Sequence, residues 1–395
     1  MKILIYKDIA DLGPVGGPSG YLYNLYNGLE KINENGVKFL DLKRNTKFYK
    51  LKNINKKLKN VVKSKLKKVL DKKWIQNLED IVLNDKNVSS QVNFNEYDYI
   101  HFHSTFDMYE VREQLKNTKA KIIITSHSPK PLHLEYFDLL REKGEKDILR
   151  FSSLSKIDEF AFNRAEYIIF PCEEAEEPYY NQWDKYKEIH EKNKNKYRYI
   201  LSGIKGCTAK ISKEEIRKKY NIPESAFLLS YVGRHNEVKG YDVLKKIGSE
   251  VLNNKDIYII IAGKEGPLYR LENNHWIEVG WTNDPHSIIA ASDLFILPNK
   301  ETYFDLVLLE VLSLSIPTLV SYTGGNKYFE KFEQSGILYF NDELTAINKI
   351  NNLYNEKNKL NNLGKLNKKI FEDNFNEIIF AQNYIKLIDS LDKEK

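Results

Sequence analysis

The sequence predicts an α/β protein built on two doubly wound parallel sheets. Three observations carry that prediction. The chain has 395 residues, too many for one ordinary core and suited to two domains of roughly 100–200 residues each. Short apolar runs recur along it, among them ILIY (Ile3 to Tyr6), AKIIITS (Ala120 to Ser126), YIIFP (Tyr167 to Pro171) and FLLSYVGR (Phe227 to Arg234). Each apolar run leads into a turn and then a helical pattern, the grammar of βαβ units, whose sheets bind ligands beyond the carboxyl ends of their strands.

Composition narrows the class. Hydrophobic residues make up 42% and charged residues 29%, as in soluble globular proteins. No apolar stretch approaches the ~20 residues needed to cross a bilayer. Cys172 and Cys207 are too few for a disulfide framework or a zinc site, which points to a reducing compartment. MKILIYKD at the N-terminus reads as a first strand and not a signal peptide, so a cytoplasmic protein is expected. The net charge of +6 is unevenly spread: Lys43 to Ile75 holds 14 Lys and Arg against one acid, Asp71, and the remainder is net acidic. A local patch of this kind argues against a protein that tracks nucleic acid along its whole surface.

After ILIY comes the loop GPVGGPSG (Gly13 to Gly20) and a helix expected from about Ser19 to Ile32, with Ser19 as a candidate N-cap. Leu22, Leu25 and Leu29 lie at helical spacing and are expected to face the sheet. Gly16 and Gly17 either shape a tight strand-to-helix turn or let a ligand reach backbone N–H groups. They do not match the dinucleotide fingerprint, so no nicotinamide cofactor is expected. GVKFLDL (Gly36 to Leu42) is a second strand.

Leu51, Ile54, Leu58, Val61, Val62, Leu66 and Val69 form one helical stripe within the basic segment 43–75. Its drift after Asp71 predicts a bend or second helix carrying Trp74, Ile75 and Leu78. Such a helix fits an anionic membrane surface, reached through Lys43 to Lys73, each basic residue contributing ~1 kcal/mol. It also fits a solvated helix packed on its own domain.

YDYIHFH (Tyr97 to His103) and AKIIITS end in histidine-bearing sequence. Strand alternation puts His101 and His103 on one face, without the cysteines or carboxylates that would complete a metal set with His127 and His133. His127 lies just past a strand end, where ligands gather. A helix is expected over Phe151 to Arg164. The acids of EEAEEPYY (Glu173 to Tyr180) are either a solvated loop or part of an acceptor groove. RYILSGI (Arg198 to Ile204) closes the first domain near Gly203.

In the second domain, Arg234 and Lys239 follow a strand, ready to neutralise a diphosphate. Departure of a nucleoside diphosphate builds charge on its β-phosphate, and fixed cations there stabilise the transition state. The order and content of YVGRHNEVKG (Tyr231 to Gly240), IIAGKEGPL (Ile260 to Leu268) and ASDLFILPNKETYFDLVLLEVLSLSIPTLVSYTGG (Ala291 to Gly325) resemble the C-terminal nucleotide-sugar domain of GT-B glycosyltransferases. The retaining enzymes of glycosyltransferase family 4 are the nearest likeness.

That resemblance implies a GT-B fold with two Rossmann-like domains facing a cleft. Residues 1–203 would bind acceptor, 204–372 the nucleotide sugar, and a last helix, 373–395, would pack back on the first domain. It implies a UDP-sugar donor, a glycan or lipid-linked acceptor, a peripheral position at the inner membrane face, no cofactor and no metal. Arg234 and Lys239 would clamp the diphosphate, and His127 would position the sugar. Gly16, Gly17, Gly233 and Gly263 would border the donor, while HWIEVGWTND (His275 to Asp284) would cradle the base. Glu310 would hold the ribose, accepting from both hydroxyls. The amides of Asp305, Leu306 and Val307 would bind the β-phosphate at a helix start. The family motif is two glutamates separated by seven residues. Phe304, Leu306 and Glu310 align with it, but Thr302 stands at the first glutamate position, Glu301 lies one residue early, and Asp305 replaces a usual glycine. Either Glu301 takes the catalytic sugar contact through a local shift, or Thr302 makes it more weakly. These departures keep open a catalytically weak GT-B relative that binds glycan or partners another transferase. A GT-B epimerase or sugar phosphorylase, and transfer to nucleic acid, are lesser alternatives.

Overall fold

The computed structural model describes residues 1–14, 17–41 and 60–393, with the side chains of residues 10 and 60–66 outside that description. The described residues divide into two units. The first takes those of Met1–Gly20, Glu34–Phe170 and Tyr179–Tyr199; the second takes those of Tyr21–Asn33, Pro171–Pro178 and Ile200–Lys395.

The first unit holds β1 (Ile3–Asp8), β2 (Val37–Leu40), β3 (Tyr99–Phe102), β4 (Lys121–Thr125), β5 (Tyr167–Phe170) and β6 (Tyr197–Tyr199). They form one parallel sheet in the order β2-β1-β3-β4-β5-β6. β3 and β5 are buried throughout, as expected of strands covered on both faces. Chain order reverses between β1 and β3, and in open parallel sheets ligands bind beyond the carboxyl ends of strands at such a switch point.

α1 (Gly17–Lys31) begins two residues before its expected start. Ser19 is therefore inside the helix and not its N-cap; its hydroxyl donates to the Asp11 carbonyl at 2.9 Å. α2 (Asn60–Val82) corrects a second expectation, because one continuous helix runs through Asp71 to Leu78, Ile81 and Val82. Asp71 pairs with Lys143, and Lys143 lies 5.3 Å over the Trp74 ring. That long-range partner steadies the position where the apolar stripe drifts. The apolar positions expected from Leu51 to Leu58 lie outside the described residues.

A buried polar knot ties three helices of this unit. Asp158, wholly buried in the helix Ser155–Arg164, accepts from Thr105 Oγ1 at 2.7 Å and from the His133 backbone N–H at 2.8 Å. His133 Nδ1 lies 2.6 Å from the same carboxylate. Asp158→Ala is expected to cost ~3–5 kcal/mol, because it strands buried donors on two other helices. Urea unfolding of the variant against wild type measures this.

The second unit holds β7 (Phe227–Val232), β8 (Ile257–Ala262), β9 (Trp276–Gly280), β10 (Leu294–Leu297), β11 (Thr318–Ser321) and β12 (Ile337–Phe340). The order is β12-β11-β10-β7-β8-β9, again all parallel. Alternation along β7 sends Phe227, Leu229 and Tyr231 into one core layer, with α3 (Tyr241–Val251), and Leu228 into the other. The switch in chain order falls between β7 and β10, so the loops after those two strands lie at the second switch point.

α4 (Leu306–Ser313) follows β10, and α5 (Leu360–Asn374) and α6 (Glu377–Lys393) end the chain. α6 packs on the body of α1: the Tyr21 and Phe380 rings lie 4.9 Å apart and Lys31 pairs with Glu377 at 2.5 Å. Gly28 permits the contact, since a Cβ there would sit 2.1 Å from the Glu377 carbonyl. Among the described residues no helix is long and apolar enough to cross a membrane.

Candidate functional site

The loop between β7 and α3 is held from below. The buried Tyr231 hydroxyl donates to the Arg234 carbonyl at 2.9 Å and lies 3.3 Å from that of Lys239, so one β7 side chain clasps both ends of the loop. Asn236 Oδ1 accepts from the Lys239 N–H at 3.0 Å. His235 lies flat on Tyr241, 4.1 Å between centroids, and burial lowers its pKa. Gly240 ends the loop with φ +63, pressed so closely on β10 that a Cβ would lie 1.7 Å from the Pro298 carbonyl. The Lys300 N–H, donating to the Val238 carbonyl at 3.0 Å, completes the seam.

Gly233 and Gly263 mark the parallel exit of β7 and β8. A Cβ on Gly263 would meet the Gly233 carbonyl at 1.8 Å, and one on Gly233 would meet the Tyr231 hydroxyl at 2.6 Å. Gly263 is thus explained by close backbone packing, and Gly233 by the Tyr231 side chain pressed against it.

Across the seam, Lys239 Nζ lies 2.7 Å from Asp305 Oδ1. The other carboxylate oxygen accepts from Thr302 Oγ1 at 2.5 Å and from Asn299 Nδ2. Thr302 and Asn299 are both buried. Arg234 is exposed, and its guanidinium has no hydrogen bond or ion pair with the described residues. Glu301 is half-buried, and its carboxylate likewise meets no described partner. Phe304 is packed into an aromatic cluster, 5.4 Å from the Phe329 ring and nearly parallel to it. Leu306 and Val307 open α4. Glu310 is half-buried one turn on, with its Oε2 3.5 Å from His286 Nε2. Cys207 and Glu310 together push the His286 pKa up to about 10.

Asp305 therefore touches both Lys239 and Thr302, and Arg234 shares the Lys239 loop. Phe304, Leu306, Val307 and Glu310 continue along the same turn and helix. The remaining site residues belong to the first unit. Gly17 is the exposed first residue of α1, with open space where a Cβ would stand; Gly16 lies outside the described residues. His127 follows β4, with Nε2 2.8 Å from His103 Nδ1. Burial, with Lys7 nearby, holds the His127 pKa down to about 3, so the ring is neutral at physiological pH. His101 and His103 do share a face, their rings 4.0 Å apart.

Asn299, His286 and the His103 partner of His127 were not foreseen from sequence. Asn299 carried a signal there, as a polar residue at the end of the apolar strand LFILPN, and His103 stood among the histidines weighed with His127 as a metal set. Glu177, in the acid-rich segment, pairs with Lys327 and accepts from the Gly324 N–H at 3.2 Å and from Thr323 Oγ1 at 3.3 Å. That carboxylate is committed to pinning the turn after β11.

Two all-parallel six-stranded sheets with these switch points define a GT-B fold. Residues 212–370, within the second unit, match the family model described as Glycosyl transferases group 1. The structure of HepE from Anabaena, in complex with UDP and glucose, is similar over 99% of this chain and 100% of that one, with a TM-score of 0.60 and 13% identity. Sucrose-phosphate synthase from Thermosynechococcus elongatus is similar over 100% of both chains, with a TM-score of 0.64 and 16% identity. In sequence, the chain is 26% identical over 195 residues to the Escherichia coli UDP-Gal:alpha-D-GlcNAc-diphosphoundecaprenol alpha-1,3-galactosyltransferase, covering 46% of this chain and 48% of that one. It is 26% identical to the Escherichia coli O-antigen biosynthesis glycosyltransferase WclY over 45% of this chain and 51% of that one. The chain thus spans about half the length of the curated relatives it matches.

Proposed function

We propose that the protein is a retaining glycosyltransferase that moves a sugar from a UDP-sugar to a hydroxyl of a glycan or lipid-linked acceptor in surface glycoconjugate synthesis. The observation that carries this reading is the placement of Arg234, Lys239 and the start of α4 around the β7/β10 switch point, a ready anion site beside a half-buried carboxylate, Glu310. The similar proteins, one a UDP-Gal:alpha-D-GlcNAc-diphosphoundecaprenol galactosyltransferase and one a structure in complex with UDP, favour UDP as the nucleotide and a diphosphate-linked lipid as acceptor.

In this reading Arg234 and Lys239 take up the charge that builds on the β-phosphate as the glycosidic bond breaks. They do electrostatically what a divalent ion does in other transferases, so no metal is required. Glu310 accepts from the ribose hydroxyls. His127, neutral at physiological pH, offers the sugar a hydrogen bond without adding a charge near the reacting carbon. The acceptor hydroxyl attacks on the face the diphosphate leaves, and a β-phosphate oxygen takes its proton. The exposed lysines of α2, among them Lys67, Lys68, Lys72 and Lys73, would hold an anionic membrane surface near a lipid-linked acceptor.

The test is thermal shift and slow donor hydrolysis across UDP-, GDP- and dTDP-sugars, with chelator present. One UDP-sugar that stabilises the protein and is hydrolysed without metal is the expected result. Absence of any nucleotide effect at millimolar concentration would instead favour a non-catalytic relative.

A further inference from the structure

Asp305 is the N-cap residue of α4, yet its carboxylate makes no capping bond to the helix amides. An N-cap aspartate ordinarily turns onto the second or third amide of its helix. Here it turns away, to Lys239 at 2.7 Å, and is held there by Thr302 Oγ1 at 2.5 Å and by Asn299. Both anchors are about 1% exposed, so the carboxylate is aimed from inside the protein. The result is an anion of the chain's own, bound by the cation and beside the helix start that a diphosphate would use.

We propose that Asp305 is a specificity-determining residue, an internal anion that occupies Lys239 in the free protein and is exchanged for a phosphate group when a nucleoside diphosphate binds. This rests on the reading of Lys239 as a diphosphate clamp. With Asp305 in place, the loop offers one unmatched cation, Arg234, and not two. A weakly charged ligand gains too little to release Lys239. A diphosphate brings enough charge to take Lys239 and engage Arg234 together, so the exchange selects for it. Thr302 then holds the displaced carboxylate's seat and has no need to be acidic: a glutamate there would face Asp305 across one hydrogen-bond distance and be repelled.

The experiment is calorimetric titration of UDP into wild type, Asp305→Asn, Lys239→Ala and the double variant, with Asp242→Asn as a control. Asparagine keeps the size of Asp305 and its contact with Thr302 but removes the charge. Asp242 pairs with Lys300 at 2.6 Å on the exposed rim and reports the long-range effect of losing one negative charge. Asp305→Asn is expected to tighten UDP by about tenfold, the scale of one charge-assisted hydrogen bond. Asp242→Asn should change it less than twofold, and the tightening should vanish in the Lys239→Ala background. Tightening that persists without Lys239, or is matched by Asp242→Asn, overturns the proposal. So does UDP binding to Asp305→Asn no better than to wild type. If wild type binds UDP and Lys239→Ala weakens it while Asp305→Asn does nothing, the clamp stands and the exchange falls. If no variant binds UDP, the clamp reading itself is lost, and thermal melts of each variant show that this is not misfolding.

Discussion

Arg234→Ala is expected to lower donor turnover by about 10²–10³-fold, the loss seen when one fixed donor is removed from a developing anion. The same variant should melt within about 0.5 kcal/mol of wild type without ligand, as exposed substitutions usually do. Both expectations follow from one feature. The Arg234 backbone is fixed, its carbonyl bound by the Tyr231 hydroxyl at 2.9 Å, while its guanidinium reaches no described partner. Nothing structural is lost with the side chain, and any effect is an effect on ligand. Lys239→Ala is less clean, because it also strips Asp305 of its cation. Donor hydrolysis rates and the UDP-induced rise in melting temperature report the two halves separately. An Arg234→Ala protein that turns over donor normally would remove the diphosphate from this loop.

The parts of this site that could be read in the sequence are those fixed by local pattern. β7 and β10 are continuous apolar runs, and the cations and glycines directly after β7 fall at the switch point whatever the side chains do later. The parts that could not be read depend on chain segments meeting. Asp305 was visible only as a departure from a glycine; its bond to Lys239 spans 66 residues and exists because the Gly240 turn lies on Pro298. Thr302 and Glu301 posed a choice in the sequence. Their surroundings separate them, since Thr302 is buried against a carboxylate and Glu301 points to no described partner. His286 meets Glu310 from a different helix. The bend expected after Asp71 failed for the same reason, because Lys143, far along the chain, holds that residue in a continuous helix. Helix periodicity carries no information about such partners.

Gly240→Ala is expected to cost about 2–4 kcal/mol of stability, the sum of a left-handed backbone strain and an overpacked contact. It should also abolish most donor turnover in the protein that remains folded. The two effects share a cause. At φ +63 a Cβ is strained in isolation, and here it would overlap the Pro298 carbonyl at 1.7 Å. The overlap can be relieved only by lifting the loop from β10. Lifting it breaks the Lys300-to-Val238 backbone bond and carries Lys239 away from Asp305 and the start of α4. Gly144 separates strain from overlap, because it has φ +80 but open space where a Cβ would stand. Gly144→Ala should therefore lose only about 1 kcal/mol and keep its nucleotide affinity. Urea unfolding and UDP titration of both variants make the comparison. Equal losses in the two would mean that backbone strain alone governs Gly240. Stability lost at Gly240 with UDP affinity intact would mean that the clamp does not depend on where this loop meets β10.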